Sequence, residues 1–241
     1  MPLMRSRLLP KLPWKSLYFD GVDDYVEVPD DPGLRIINDL TVEALFYPFD
    51  YGGVLVIKHY NYEFMIRLYT NGAIRYAHGN GTLPNVVIDV LPQGSIELGK
   101  WQHIAVVRKA APTRTVQAFI NGVAGNEYSY DKDPAPSTYN IFIASELGAY
   151  NFFYGYIGFV RIYNRALSDS EIEHNYYHPD DPVREGLVLW LHYDSIDESA
   201  GVWKDKTAYG NNGTIYGATA VEFTKPPYRT LSPVRTLSPV R

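Results

Sequence analysis

Residues 155–172 read GYIGFVRIYNRALSDSEI, and two signals stand back to back in this stretch. Residues 156–163 are rich in β-branched and aromatic side chains, which suit a pleated, packed surface. Alternation places Tyr156, Val160 and Ile162 on one face and Ile157, Phe159 and Tyr163 on the other. Apolar side chains on both faces predict a strand covered on both sides. A helix start follows. Ser168 can accept from the free amides of the first turn, and Glu171 can reach back to the Ser168 N–H, which makes a capping box. Leu167 before the cap and Ile172 inside the helix can close over it as a hydrophobic staple. A buried strand that hands the chain to a short capped helix reads as a closing element.

Upstream, FDGVDDYVEVP (residues 19–29) predicts two short strands, 16–20 and 25–28, around a turn. LTVEALFY (40–47) alternates as a strand does and stops at Pro48. Strands are expected at 54–59, 62–70 and 73–78, the last two joined by Asn71-Gly72, a two-residue hairpin signal. KWQHIAVVR (100–108), VQAFIN (116–121) and residues 139–144 follow. Many short strands with turn signals and one late helix predict an all-β, antiparallel sandwich.

Taken together, these motifs resemble the laminin G-like, concanavalin A-like jelly-roll domains of the LamG and pentraxin type. Such domains end close to G-x-I-D-E-V-R-I-Y-N-R-A-L-S-x-x-E-I; here Gly158 and Phe159 stand in place of the Asp-Glu pair. The resemblance spans residues 16–223 and implies an antiparallel β-sandwich jelly roll with one short helix after the last family strand. GLVLWLHY (186–193) and TAYGNNGTIYGA (207–218) are of a type that opens the domain in the family, yet they come last here. The chain therefore reads as circularly permuted, or as cut from a tandem array, with 186–223 supplying the strands that normally come first. Residues 1–15 read as an N-terminal extension. Residues 224–241 read as a Pro-containing basic tail in which RTLSPV occurs twice.

A chain of 241 residues with 46% hydrophobic and 20% charged residues can build one large core. Its 21 tyrosines suit strands, and equally glycan- or protein-binding surfaces, where an apolar ring carries a polar tip. A net charge of −5 argues against nucleic acid as a partner. There is no Cys, so neither a disulfide frame nor a thiolate metal site can form. No apolar run approaches the ~20 residues of a membrane span. The start, MPLMRSRLLPKLP, is broken by prolines, so no signal peptide is read. The expected setting is extracellular, on a cell surface or on a virion surface.

Glycoside hydrolases on such sandwiches need paired carboxylates, commonly as E-x-D on one strand face. No Glu here is followed by Asp two residues later, so no catalytic residue is assigned. Asp20, Asp23 and Asp24 cluster in one turn, and hard oxygen ligands on a short loop suit Ca²⁺; the resemblance also places a structural calcium beside this hairpin. His174 and His178 have an i, i+4 spacing but no evident third ligand, so they read as surface histidines. His103 reads as a core histidine with its hydrogen bonds satisfied. Sugar recognition needs aromatic faces and polar groups on a site formed in advance. Two loop regions offer both: one with Tyr51, His59, Tyr60 and Tyr62, the other with Tyr150, Asn151, Phe152 and Tyr154. The expected function is a non-catalytic, lectin-like recognition module for glycans or surface proteins. The alternative is an architectural unit that self-associates through its C-terminal strand or tail; an atypical glycoside hydrolase ranks last.

Overall fold

The computed structural model describes residues 14–223. The tail with its RTLSPV repeat, and all of the N-terminal extension except Trp14 and Lys15, lie outside the described residues. In chain order the elements are β1 (Trp14–Asp20), β2 (Tyr25–Val28), β3 (Leu40–Pro48), β4 (Val54–His59), β5 (Phe64–Leu68), β6 (Ile74–His78), β7 (Val86–Leu91) and β8 (Gln102–Lys109). They continue as β9 (Thr115–Ile120), β10 (Val123–Ser129), β11 (Ile141–Ile143), β12 (Tyr154–Tyr163), α1 (Asp169–Tyr177), β13 (Leu187–Asp197), β14 (Val202–Asp205), β15 (Gly213–Tyr216) and β16 (Thr219–Phe223). The described residues form an all-β sandwich with one α-helix, as the patterning predicts. Four strands escape that patterning: β7, β10, β14 and β16. β10 (VAGNEYS) is polar, largely exposed and bulged, so it carries no alternating apolar signal.

Hydrogen bonds run along the path β10-β9-β8-β3-β12-β13-β14-β15-β2-β11-β4-β5-β6-β7, with β1 beside β12 and β16 outside β1. This path folds over on itself. Phe46, Ile104 and Ile157 of one layer share a core with Leu55, Phe64, Ile66 and Tyr76 of the other. The two ends of the path, β7 and β10, come into contact.

β12 is the hinge of the arrangement. One edge pairs with β3 along almost its whole length. The other edge is divided: β1 takes residues 154–157 and β13 takes residues 159–163. A bulge falls between the two halves, at Gly158. This bulge corrects the expected alternation. Ile157 joins Val160 and Ile162 in the main core, while Phe159 and Tyr163 face outward. An inserted residue shifts the side-chain phase by one, so the period of two cannot run through it. β13 is bulged as well, where Ile162 pairs with Leu189 and Tyr163 with Leu187. Val188, Leu189 and Leu191 therefore enter the main core, and Leu187 and Trp190 enter the cluster under the helix. Plain alternation would put Leu187, Leu189 and Leu191 on one face, with Val188 and Trp190 on the other; the extra residue separates Leu187 from the other two leucines.

α1 begins as expected. Ser168 Oγ accepts from Glu171 N–H, and Glu171 Oε2 accepts from Ser168 N–H at 2.8 Å. Leu167 and Ile172 are both buried in one cluster. The helix and the turn after it cover half of the outward face of β3, β8 and β12. Beneath them Arg161 meets Glu43 at 3.2 Å, and Asn175 Nδ2 donates to both Glu43 oxygens at 3.1 Å. Burial works against the Glu43 charge, but His103, Arg161 and Asn175 outweigh it and hold the carboxyl below its ordinary range. His103 is buried, as expected, but its ring nitrogens make no hydrogen bond; Nε2 stands 3.6 Å from Glu43 Oε1. The expected satisfied histidine is thus a close neighbour of a buried carboxylate that Arg161 and Asn175 already hold.

Candidate functional site

The loops of residues 50–53 and 150–154 are tied backbone to backbone. Val54 N–H donates to Asn151 O at 2.8 Å, and Phe49 N–H donates to Tyr154 O at 3.0 Å. Gly53 makes this contact possible. Its φ is +89°, and a Cβ there would lie 2.5 Å from Phe153 Cα. No other residue fits both constraints. Asn151 also sits at positive φ, 51°. Arg67 Nη2 donates to Asn151 Oδ1 at 2.7 Å, and Asn151 Nδ2 donates on to Glu146.

The result is a cleft of about 360 Å³ whose lining includes Asp20, Asp50, Tyr51, Arg67, Thr70, Asn151, Phe152 and Tyr154. Aromatic walls stand around hydrogen-bonding groups whose positions are set by the loop ties. A second hollow of about 220 Å³ shares Arg67 and adds Tyr60, Tyr69, Arg75 and Glu146 over Met65, Ala77 and Val87. The Arg75 guanidinium lies 3.8 Å from the Tyr69 ring centroid. A larger hollow, about 630 Å³, lies beside the first turn of α1. There Ser168 and Glu171 are already bound to each other.

Of the eight expected ligand residues, Tyr51, Asn151, Phe152 and Tyr154 line the cleft and Tyr60 the adjoining hollow. His59 is buried, and its Nδ1 accepts from Asn61 N–H at 3.1 Å. Burial pushes its imidazole down, so the ring is neutral and holds the loop. Tyr62 packs with His59 and Tyr139. Tyr150 is 67% exposed on the tip of the turn closed by Glu146. Sequence reasoning missed Arg67, Asp50 and Thr70. Arg67 had one legible sign, a charged residue at an alternating position in an apolar strand.

Calcium is the ion the family resemblance brings to the Asp20–Asp24 turn. Ligand oxygens of Asp20, Asp23 and Asp24 lie within 4.8 Å of one another. Asp20 Oδ1 accepts from Val22 N–H at 2.8 Å, and Asp24 Oδ2 from Asp20 N–H at 2.9 Å. Burial, reinforced by the charges of Asp20 and Asp23, pushes the Asp24 carboxyl up. A cation would relieve that cost, and the hard oxygen donors fit calcium chemistry. Gly158 and Phe159 are buried within the sheet and supply no carboxylate oxygen.

A closed antiparallel sandwich with a loop-built cleft at its rim defines a lectin-type β domain. A family profile described as the concanavalin A-like lectin/glucanases superfamily matches residues 20–173, and the chain belongs to that superfamily. No curated protein matches the sequence. Among solved structures, a candidate carbohydrate-binding protein from Bacteroides ovatus aligns with a TM-score of 0.70 at 20% identity, over 89% of this chain and 61% of that one. This chain thus spans about three fifths of that protein's length. A heptameric SAP-like pentraxin from Limulus polyphemus aligns with a TM-score of 0.59 at 13% identity, over 86% and 94% of the two chains. Domain 4 of an extracellular arabinanase from Geobacillus stearothermophilus, solved with arabinotriose, gives 0.51 at 19% identity, over 66% and 74%.

Proposed function

We propose that this protein is a non-catalytic recognition module that binds glycan in the Arg67 cleft. The observation that carries the reading is the convergence of two loops on Arg67, with Tyr51, Phe152 and Tyr154 as walls. Aromatic rings take the C–H faces of sugars, and Asn, Arg and Asp groups take their hydroxyls. The carbohydrate-binding descriptions of two structural neighbours support the class of ligand. The two cleft carboxylates support binding over hydrolysis, because Asp20 and Asp50 each accept from amides of their own turns. Asp20 also joins the cleft to the Asp20–Asp24 turn, where Asp20, Asp23 and Asp24 would hold calcium and stiffen the rim. The setting we propose is the extracellular or surface one expected from the sequence; among the described residues no helix is long and apolar enough to cross a membrane.

The test is calorimetric titration with arabino-, xylo-, galacto- and gluco-oligosaccharides, in calcium and in chelator. At least one series should bind, Arg67→Ala and Phe152→Ala should each weaken it at least tenfold, and no oligosaccharide should be cleaved. Chelator should lower both the affinity and the melting temperature. Normal binding by both variants moves the site elsewhere; an unchanged melting temperature removes the ion.

A further inference from the structure

The outward face of β3, β8 and β12 is covered by α1 over one half only. The other half carries aromatic rings that no element among the described residues covers. Tyr156 of β12 stands at the centre, with ring centroids of Tyr18, Tyr47, Phe49, Trp101 and Phe223 between 5.1 and 6.1 Å away. These rings come from β1, β3 and the loop after it, the residue before β8, and β16, so they assemble only through the sheet order. All of them are half-buried. The neighbouring half of the same face, with Glu43 and Arg161, is fully buried.

Two observations say what this face fits. The first is continuity. Tyr154 lines the Arg67 cleft and also packs against Phe49 and Tyr18, at 5.1 and 6.3 Å. It is 40% exposed at the join between the two surfaces. The second is chemistry. The rings around Tyr156 include no charged side chain, and the nearest cation in sequence, Lys100, is paired with Glu97. Phenolic hydroxyls are spread through the patch, at Tyr18, Tyr47, Tyr154 and Tyr156. A permanent dimer face resembles a domain core cut in half, whereas every ring around Tyr156 here is only half-buried and four rings of the patch carry hydroxyls. Rings that carry hydroxyls suit the alternating C–H and O–H surface of a neutral sugar chain.

We infer that this aromatic face is a second binding surface, onto which a neutral polysaccharide continues from the Arg67 cleft across Tyr154. The inference rests on the cleft reading, and the two fail differently. The probes are arabinan, xylan, galactan and β-glucan, each as polymer and as trisaccharide, titrated against the full chain. The polymer that binds should bind at least tenfold more tightly than its trisaccharide. Trp101→Ala and Tyr156→Ala should each remove that excess and leave trisaccharide affinity unchanged. Arg67→Ala should weaken both. Trp101→Phe keeps a ring, so it should keep most of the excess, and it separates lost stacking from lost folding. Equal binding of polymer and trisaccharide, or a polymer excess that survives Trp101→Ala, overturns the extension and leaves the cleft standing. Failure of every probe to bind overturns both. A dimer in sedimentation velocity that Trp101→Ala dissolves would make a second copy the occupant and overturn the glycan assignment.

Discussion

His78 on β6 shows how much one buried polar side chain decides. Its Nε2 meets Lys132 O at 2.7 Å, a carbonyl that can only accept, so that nitrogen carries the proton. Nδ1 then accepts from the Tyr76 hydroxyl at 2.8 Å, and Tyr76 in turn accepts from Arg108. Burial is the main reason its pKa falls from 6.5 to about 4. The folded protein holds this ring neutral, while the unfolded chain takes up a proton below pH ~6.5. The contribution is therefore intact above pH ~6.5, is lost as pH falls towards ~4, and is flat below that. It amounts to about 3 kcal/mol, from the unit shift of ~1.4 kcal/mol. Urea midpoints of His78→Gln should fall less steeply than those of the parent across that window. Parallel curves would assign the acid limb to other groups. Arg67 is the counterpart at the cleft. Its strand position was legible, but its partner Asn151 lies 84 residues away and only folding brings them together.

At the scale of the element, α1 was the most legible part of the chain because its cap is local. Ser168, Glu171, Leu167 and Ile172 lie within six consecutive residues, and every contact was written in the spacing. Arg165 adds to it by pairing with Glu171 at 2.6 Å, and that hydrogen bond is the main reason the Glu171 pKa falls to about 2. Ser168→Ala should cost about 1 kcal/mol, read as a lower urea midpoint. A smaller loss would mean that burial of Leu167 and Ile172 holds the turn without the cap. Strands divide by the same rule. β3, β4 and β8 carry apolar runs and were visible, whereas β10 is polar and β16 is short and half-exposed, and both exist through their neighbours β9 and β1.

At the scale of the whole molecule, β13 to β16 belong to this chain's own sheet. β13 pairs with β12, β15 pairs with β2, and Trp203 on β14 is fully buried. Fully buried side chains such as Leu189, Leu191 and Trp203 each contribute ~1.5–3 kcal/mol or more. Their sum is comparable to the ~5–15 kcal/mol that holds a domain folded. A chain ended at Pro182 should therefore show no cooperative thermal transition by circular dichroism. A soluble 1–182 monomer that melts sharply would mean that the strands serve another purpose than closing this sheet.

The sequence by itself determined the strands with strong periodicity, the helix and its cap, the turns that carry Gly, and membership of a β-sandwich class. Each of these is a local matter of propensity, alternation and spacing. Tertiary structure alone decided where the phase of a strand breaks, as at Gly158, because a bulge is set by the partner strand: Ile157 pairs with Phe46 and Phe159 with Leu45, more than 100 residues away in sequence. It alone decided the cleft, because loops about 100 residues apart in sequence meet there through the close approach of Gly53 and Phe153. It alone decided the aromatic face, because the rings around Tyr156 come from separate strands and become neighbours through hydrogen-bonded sheet order.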